Sequence, residues 1–222
     1  MISNKIIVQL AVVTMLGALG CNNSFARNEP NDNYSTFVLS YQSSKLSTPV
    51  CIGSECHDRI SGPVVVYAKQ LIPNFAFGMS GSQLQSSGRT SSIKGTNVSL
   101  FVQAIAGIGN SVDIGTSVAA LHTSTELCTA IPSSCNSSSD IGTDVGVFGK
   151  VFLTENKTLS VNLSYDAIYY EKLQNQFIVG LSLVGIVAQH HRLAFSTSSV
   201  RDASGNEVSG GLGFGYSYIV NY

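Results

Sequence analysis

The sequence predicts an all-β protein, an antiparallel up-and-down transmembrane β-barrel of ten strands, with eight as the fallback. Three observations lead there. Charged residues make up only 11% of the 222 residues, roughly half the share of about 25% usual in soluble domains, while hydrophobic residues stay ordinary at 44%. From Tyr34 onward apolar and polar side chains alternate with period two, as in strands with two unlike faces. Connections between these segments alternate between short and long, the asymmetry of barrels with tight turns at one end and larger loops at the other. Twenty-one glycines, five prolines and no tryptophan argue against a helical bundle. A net charge of −1 gives no electrostatic footprint for nucleic acid, so no such partner is expected.

Taken in order, residues 2–26 read as an export signal. Lys5 gives the basic start, Ile6 to Leu19 the apolar core, and Ser24-Phe25-Ala26 a small-x-small cleavage site. The core is too short to span a bilayer. A lipoprotein signal ending in Ala18-Leu19-Gly20-Cys21 is the competing reading, but Ala18 stands where Leu is favoured. Residues 27–33, polar and containing Pro30, read as a flexible lead-in, and 34–222 as the barrel. Its segments fall at 34–46, 60–72, 75–87, 95–108, 112–126, 141–153, 158–171, 175–188, 191–200 and 208–222. Each supplies the roughly 9–11 residues that a tilted membrane strand needs. Short turns are expected at Pro73-Asn74, Gly109-Asn110-Ser111, Glu155-Asn156-Lys157 and Gln189-His190. Longer polar loops are expected at 47–59, 88–94, 127–140 and 201–207, with the short turn at Glu171–Asn175 breaking the alternation. An even strand count puts both termini in the periplasm.

Placing the apolar face outward points Val64, Val66, Phe75, Phe77, Met79, Val98, Leu100, Val102, Ala104, Ile114 and Val118 at lipid. Val145, Val147, Val151, Val179, Leu181 and Leu183 continue the band. Tyr67, Lys69, Ser80, Ser82, Ser99, Gln103, Asp113, Ser117, Asp144, Lys150, Asp166, Ser182, Arg192 and Ser196 then line the lumen. Charges inside and none in the outer band is the decisive pattern, because Lys or Arg facing the bilayer midplane costs about 2–4 kcal/mol. A soluble sandwich would use the same alternation but would carry more Lys and Glu on its solvent face.

Four cysteines follow the signal, as Cys51 with Cys56 and Cys128 with Cys135, both pairs within long loops. In an oxidising compartment proximity favours two local disulfides that stiffen exposed loops; a cross-link between the loops is the competing connectivity.

The closing run Gly213-Phe214-Gly215-Tyr216-Ser217-Tyr218-Ile219-Val220-Asn221-Tyr222 resembles the C-terminal strand of Gram-negative outer-membrane barrels. With the Pro73-Asn74 hairpin and Phe75-Ala76-Phe77, the chain is similar in style to small opacity-type and porin-like outer-membrane proteins. The resemblance implies that Phe214, Tyr216, Tyr218, Val220 and Tyr222 form the signal read by the barrel-assembly machinery, with Tyr222 replacing the usual Phe. It implies location and assembly route, and no ligand.

Candidate chemistry is sparse. His122, Ser124 and Glu126 share one face of the fifth segment. Outer-membrane lipid A deacylases resemble this in a lipid-facing His-x-Ser pair, with Ser as nucleophile, His as base and an acid orienting the His. There the acid lies further along the chain than Glu126, so a polar interfacial collar is the preferred reading. His190 and His191 point to opposite sides of an extended chain and make a poor chelate, so no metal site is assigned. Asp113, Asp144, Asp166, Lys69, Lys150 and Arg192 balance three acids against three bases and are expected to pair across a narrow lumen, with a protease-like site or selectivity ring as the alternatives. Gly107-Ile108-Gly109 and Gly211 to Gly215 lack the following helix that a phosphate cradle needs, and no cofactor is expected.

The function expected is that of a non-enzymatic surface protein, monomeric, exported to the outer membrane of a Gram-negative bacterium. Its partners would be membrane lipid and lipopolysaccharide, the assembly machinery, and a host or surface ligand met by the stiffened loops. A narrow pore is the alternative, and a lipid A-modifying acyl hydrolase the third reading.

Overall fold

Ten alternating segments become ten strands because each finds a sequence neighbour for its backbone and a common interior for one face. The computed structural model describes residues 30, 32, 34–129, 133–188 and 190–219. The export signal with Cys21, and Val220 and Tyr222, lie outside the described residues. The strands are β1 Thr36–Ile52, β2 Glu55–Ile72, β3 Phe75–Ser87, β4 Ser91–Ile108 and β5 Val112–Thr129. They continue as β6 Ser134–Phe152, β7 Leu159–Tyr170, β8 Gln176–Ala188, β9 His191–Asp202 and β10 Glu207–Ile219. Neighbours pair antiparallel, and β1 closes on β10 from Thr36 opposite Ile219 to Leu46 opposite Ser209. Closure leaves no strand edge in the wall, as backbone surrounded by hydrocarbon requires.

Side-chain parity follows the expected faces on nearly every strand. Phe37, Leu39, Met79, Leu100, Val102, Val147 and Leu181 are exposed. Ser40, Gln42, Gln103, Asn162, Ser182 and Ser196 line the interior. Two aromatic rings also turn inward over glycine. A Cβ built on Gly78 would lie 2.3 Å from Cζ of Phe101, and one on Gly115 2.3 Å from Cζ of Phe148. Missing side chains thus make room for large ones, which narrows the lumen.

Strand β2 departs from the expectation. Val64 and Val66, expected outward, take the interior parity, with Val64 lining the interior cavity, while Pro63 and Val65 are exposed. Tyr67 and Lys69, expected in the lumen, stand opposite the outward Phe37 and Phe77. The run Val64 to Tyr67 is apolar at every position, so it carries no alternation of its own; turn and neighbour set its register. Lys69 lies four residues from Pro73, near a barrel rim, where a long side chain can carry its charge toward water.

The connections differ as well. The expected loop at 47–59 is almost all strand, closed by Gly53-Ser54 with Gly53 at φ +63°, a left-handed conformation favouring glycine. The expected loop at 127–140 is likewise strand up to Thr129 and from Ser134 onward. Apart from Val50, Ile52 and Leu127 these extensions are polar, Pro or Cys on both faces, so hydrophobic alternation fades while the backbone ladder continues. On β6, Ser134 to Ile141 stand beyond the pairing with β7, which begins at Gly142. Eight residues reach about 27 Å along a strand. Three hairpins, β1–β2, β3–β4 and β5–β6, rise at one end, where Ser91 of β4 pairs with Thr129 of β5, and Asp32 and Tyr34 lie at the other. At that opposite end the expected turn Glu155–Lys157 widens to residues 153–158, held by Thr158 donating to Asn156 Oδ1 at 2.8 Å.

Candidate functional site

Two places gather polar side chains: the lumen floor, near the start of β1, and the tip of the β1–β2 hairpin, where it meets the β3–β4 turn. At the floor, Arg192 is the second residue of β9 and Lys150 the third from the end of β6, so both project inward near one rim. Arg192 donates from both terminal nitrogens to the Asp32 carboxylate, Nη1 to Oδ2 at 2.9 Å and Nη2 to Oδ1 at 2.5 Å. Lys150 Nζ donates to the same Oδ2. Arg192 and Lys150 are 6% and 7% exposed, too buried for either charge to go uncompensated. Tyr34 fixes the approach of this segment. Its hydroxyl donates to Asp113 Oδ2 at 3.1 Å, its N–H to Gln70 Oε1 at 3.2 Å, and its ring lies 6.2 Å from Phe148. Asp113 is fully buried. Above the floor, two connected cavities of about 310 and 550 Å³ share Ser40, Asn162, Ser182 and Ser196 in their linings.

The expected pairing of three acids with three bases is therefore replaced by another. Lys69 is outside, and Asp32 supplies the acid that Lys150 and Arg192 share. Among the described residues Asp144 and Asp166 make no salt bridge, and Asp144 Oδ1 has no hydrogen-bond partner. Asp32 and Tyr34 were invisible as site residues because they sit in or beside a polar segment without periodicity. One signal could have found them: Lys150 and Arg192 lie at the level of Asp113 alone, so a second acid was owed.

Beside the Gly53-Ser54 turn, Glu55 accepts from the Ser91 hydroxyl at 2.6 Å and from the backbone N–H groups of Arg89 at 2.7 Å and Thr90 at 3.1 Å. The Ser91 hydrogen bond foremost, with those of Arg89 and Thr90, holds the Glu55 carboxyl down at about 2. His57 Nε2 lies 2.8 Å from the Ser91 oxygen and its Nδ1 2.9 Å from that of Ser86. With the Ser91 proton directed to Glu55, the serine oxygen accepts from His57 Nε2–H, and Nδ1 accepts from Ser86. A Ser–His distance of this kind is what a nucleophile and its base need. Here both residues are buried and the proton already belongs to a carboxylate, so the arrangement ties β2 to the β3–β4 turn.

Disulfides join Cys51 to Cys56 and Cys128 to Cys135, each linking directly opposed residues of a hairpin. Glu126 lies near the second pair, whose sulfurs are consumed by the bridge. His122, Ser124 and Glu126 share the outward parity of β5, and no hydrogen bond joins them among the described residues. His122 borders an outer-surface groove with Leu100, Ile141 and Tyr169. His191 and His190 belong to an aromatic collar near the terminal rim: His191 Nδ1 meets the Tyr216 hydroxyl, and the His190 ring lies 5.9 Å from Tyr218. Phe214, Tyr216 and Tyr218 all face outward.

Among solved structures the chain resembles the attachment invasion locus protein Ail of Yersinia pestis, at 12% identity over 84% of this chain and 98% of that one, with a TM-score of 0.44. It also resembles the translocator domain of the autotransporter NalP from Neisseria meningitidis, at 14% identity over 95% and 97% of the two chains and a TM-score of 0.48. A third is the outer membrane protein OprG of Pseudomonas aeruginosa, at 12% identity over 86% and 100% and a TM-score of 0.43. No family model and no curated protein matches the chain. Likeness at this level assigns neither family nor ligand.

Proposed function

We propose that the chain is a non-enzymatic outer-membrane barrel that acts at the cell surface, with two disulfide-crossed hairpins making the contacts and the barrel serving as anchor. The observation carrying this reading is the division of the molecule: polar, bridged hairpins rise beyond the wall at one end, while the other end of the lumen is crossed by the Asp32 ion pairs. An apolar outer band between them suits a bilayer. Export by a signal cleaved after Ala26, a lead-in at 27–33 ahead of a 34–222 barrel, contact with lipopolysaccharide, and assembly through the motif ending in Tyr222 belong to the same proposal. The hairpins then face outside and both termini the periplasm. The test is adherence. Cells displaying the protein with residues 51–56 and 128–135 replaced by two-residue turns should lose attachment to glycoprotein-coated surfaces, while the barrel keeps its heat-dependent shift on a gel. Undiminished attachment would sink the reading.

The polar cavities support a second reading, a narrow pore that is closed at its floor. Planar-bilayer conductance of the intact protein separates the two. The hydrolase reading has least support, since no hydrogen bond links His122 to Ser124 or Glu126 among the described residues.

A further inference from the structure

We propose that Arg192 and Lys150 form a binding site for small monocarboxylate anions, and that Asp32 is its tethered occupant, replaceable by a carboxylate from solution. The two cations stand on β9 and β6, separated by β7 and β8, yet both reach one carboxylate. The planar guanidinium takes both carboxylate oxygens at once, a match that a spherical halide cannot make. Both cations are buried, so the site is built into the wall.

The occupant differs from its hosts. Asp32 lies four residues ahead of β1, outside the ladder, and can leave without breaking a strand pair. Departure would leave two buried cations facing Asp113 alone among the described carboxylates, a surplus of one positive charge. That surplus costs too much to persist unfilled and is neutralised by one monoanion. Space is present, because the adjoining cavity of about 310 Å³ is lined by Asn162, Ser182 and Ser196 as well as the two cations. Among the described residues Arg192 Nε and Asn162 Oδ1 have no hydrogen-bond partner, so a donor remains unused at the site itself. This inference is independent of what the hairpins bind.

The experiment is replacement of the missing carboxylate. Full-length mature protein carrying Asp32→Gly is folded into phosphatidylcholine vesicles with its disulfides intact and titrated with urea in sodium acetate, sodium formate or sodium chloride at equal ionic strength. Acetate and formate should stabilise the variant, each tenfold rise above the dissociation constant multiplying the folded-to-unfolded ratio by about ten, with no comparable effect of chloride. Wild-type protein should not respond, because tethering keeps Asp32 at high effective concentration. Equal responses to acetate and chloride, or none, would overturn the proposal. If the glycine variant does not fold in any salt, Asp32→Asn takes its place in the same titration. Its stabilisation by acetate should disappear when Arg192→Gln is added; a response that survives, or no response, overturns the site.

Discussion

Val102 and Gln103 are consecutive in β4 and meet opposite environments. Val102 is 38% exposed within the outer apolar band, and Gln103 lines the interior cavity. Arginine at Val102 places a guanidinium in hydrocarbon at about 2–4 kcal/mol near the midplane, less where it can reach the interface. At Gln103 one interior polar group replaces another, with a volume penalty only. Reversible folding into vesicles should therefore rank Val102→Arg well below Gln103→Arg in stability, and the reverse order would invert the register. The same logic puts Val65→Arg below Val64→Arg, opposite to what the sequence alone would give. That pair marks where residue-level reading ran out. Alternation assigns faces on β3 to β6 because Gly78, Ser99, Gln103, Ser117, Asp144 and Gly146 interrupt the apolar positions, whereas the valine run of β2 fits either face. Asp32 was beyond reach for another reason: its role depends on two strands more than a hundred residues away, and no local pattern carries that information.

The tip of the β1–β2 hairpin is held by one carboxylate. Glu55 binds the β3–β4 turn through its hydrogen bonds from Ser91, Arg89 and Thr90, which lower its pKa from the ordinary 4.5 to about 2. A carboxyl whose pKa falls on folding contributes stability above its unfolded value, and that contribution is lost as pH drops from about 4.5 toward about 2. Hydrogen exchange at the Arg89 and Thr90 amides, measured relative to Glu55→Gln at each pH, should show protection in wild type at pH 6 that disappears by pH 2. Matching profiles in the two proteins would remove Glu55 from the lock. The disulfides sit at the same height, Cys56 beside Glu55 and Cys128 beside Thr129, which pairs with Ser91. Since Cys51 already faces Cys56 in the ladder, reduction should open the hairpin tips to protease while leaving the heat-dependent gel shift of the barrel unchanged. Collapse of that shift on reduction would mean the bridges hold the wall together. Strand existence was legible from period two, but strand ends were not, because Ser, Thr and Cys on both faces of the extensions erase the hydrophobic signal while backbone pairing persists.

For the whole molecule, closure is the property on which ten strands, a buried polar lumen and an outward apolar band all depend. An open sheet would leave the outer backbone groups of β1 and β10 facing hydrocarbon, where each unsatisfied group costs several kcal/mol. The terminal strands instead run in register over eleven residue pairs, Val38 opposite Ser217 among them. Both of those residues line the interior cavity near the floor, away from lipid and from the native cysteines. Cysteines placed there lie in adjacent strands at directly opposed positions, where Cβ atoms stand about 4.5–5.5 Å apart and small adjustments permit a bridge. The double variant Val38→Cys with Ser217→Cys should therefore oxidise within one chain, closing a loop that spans nearly the whole barrel. On a boiled, non-reducing gel this loop keeps the denatured chain compact, so it should migrate ahead of wild type, and reductant should abolish the difference. A control pair shifted by one residue, Val38→Cys with Tyr218→Cys, places one thiol inside and one outside and should not close. Equal migration of wild type and the Val38–Ser217 variant would deny the β1–β10 seam.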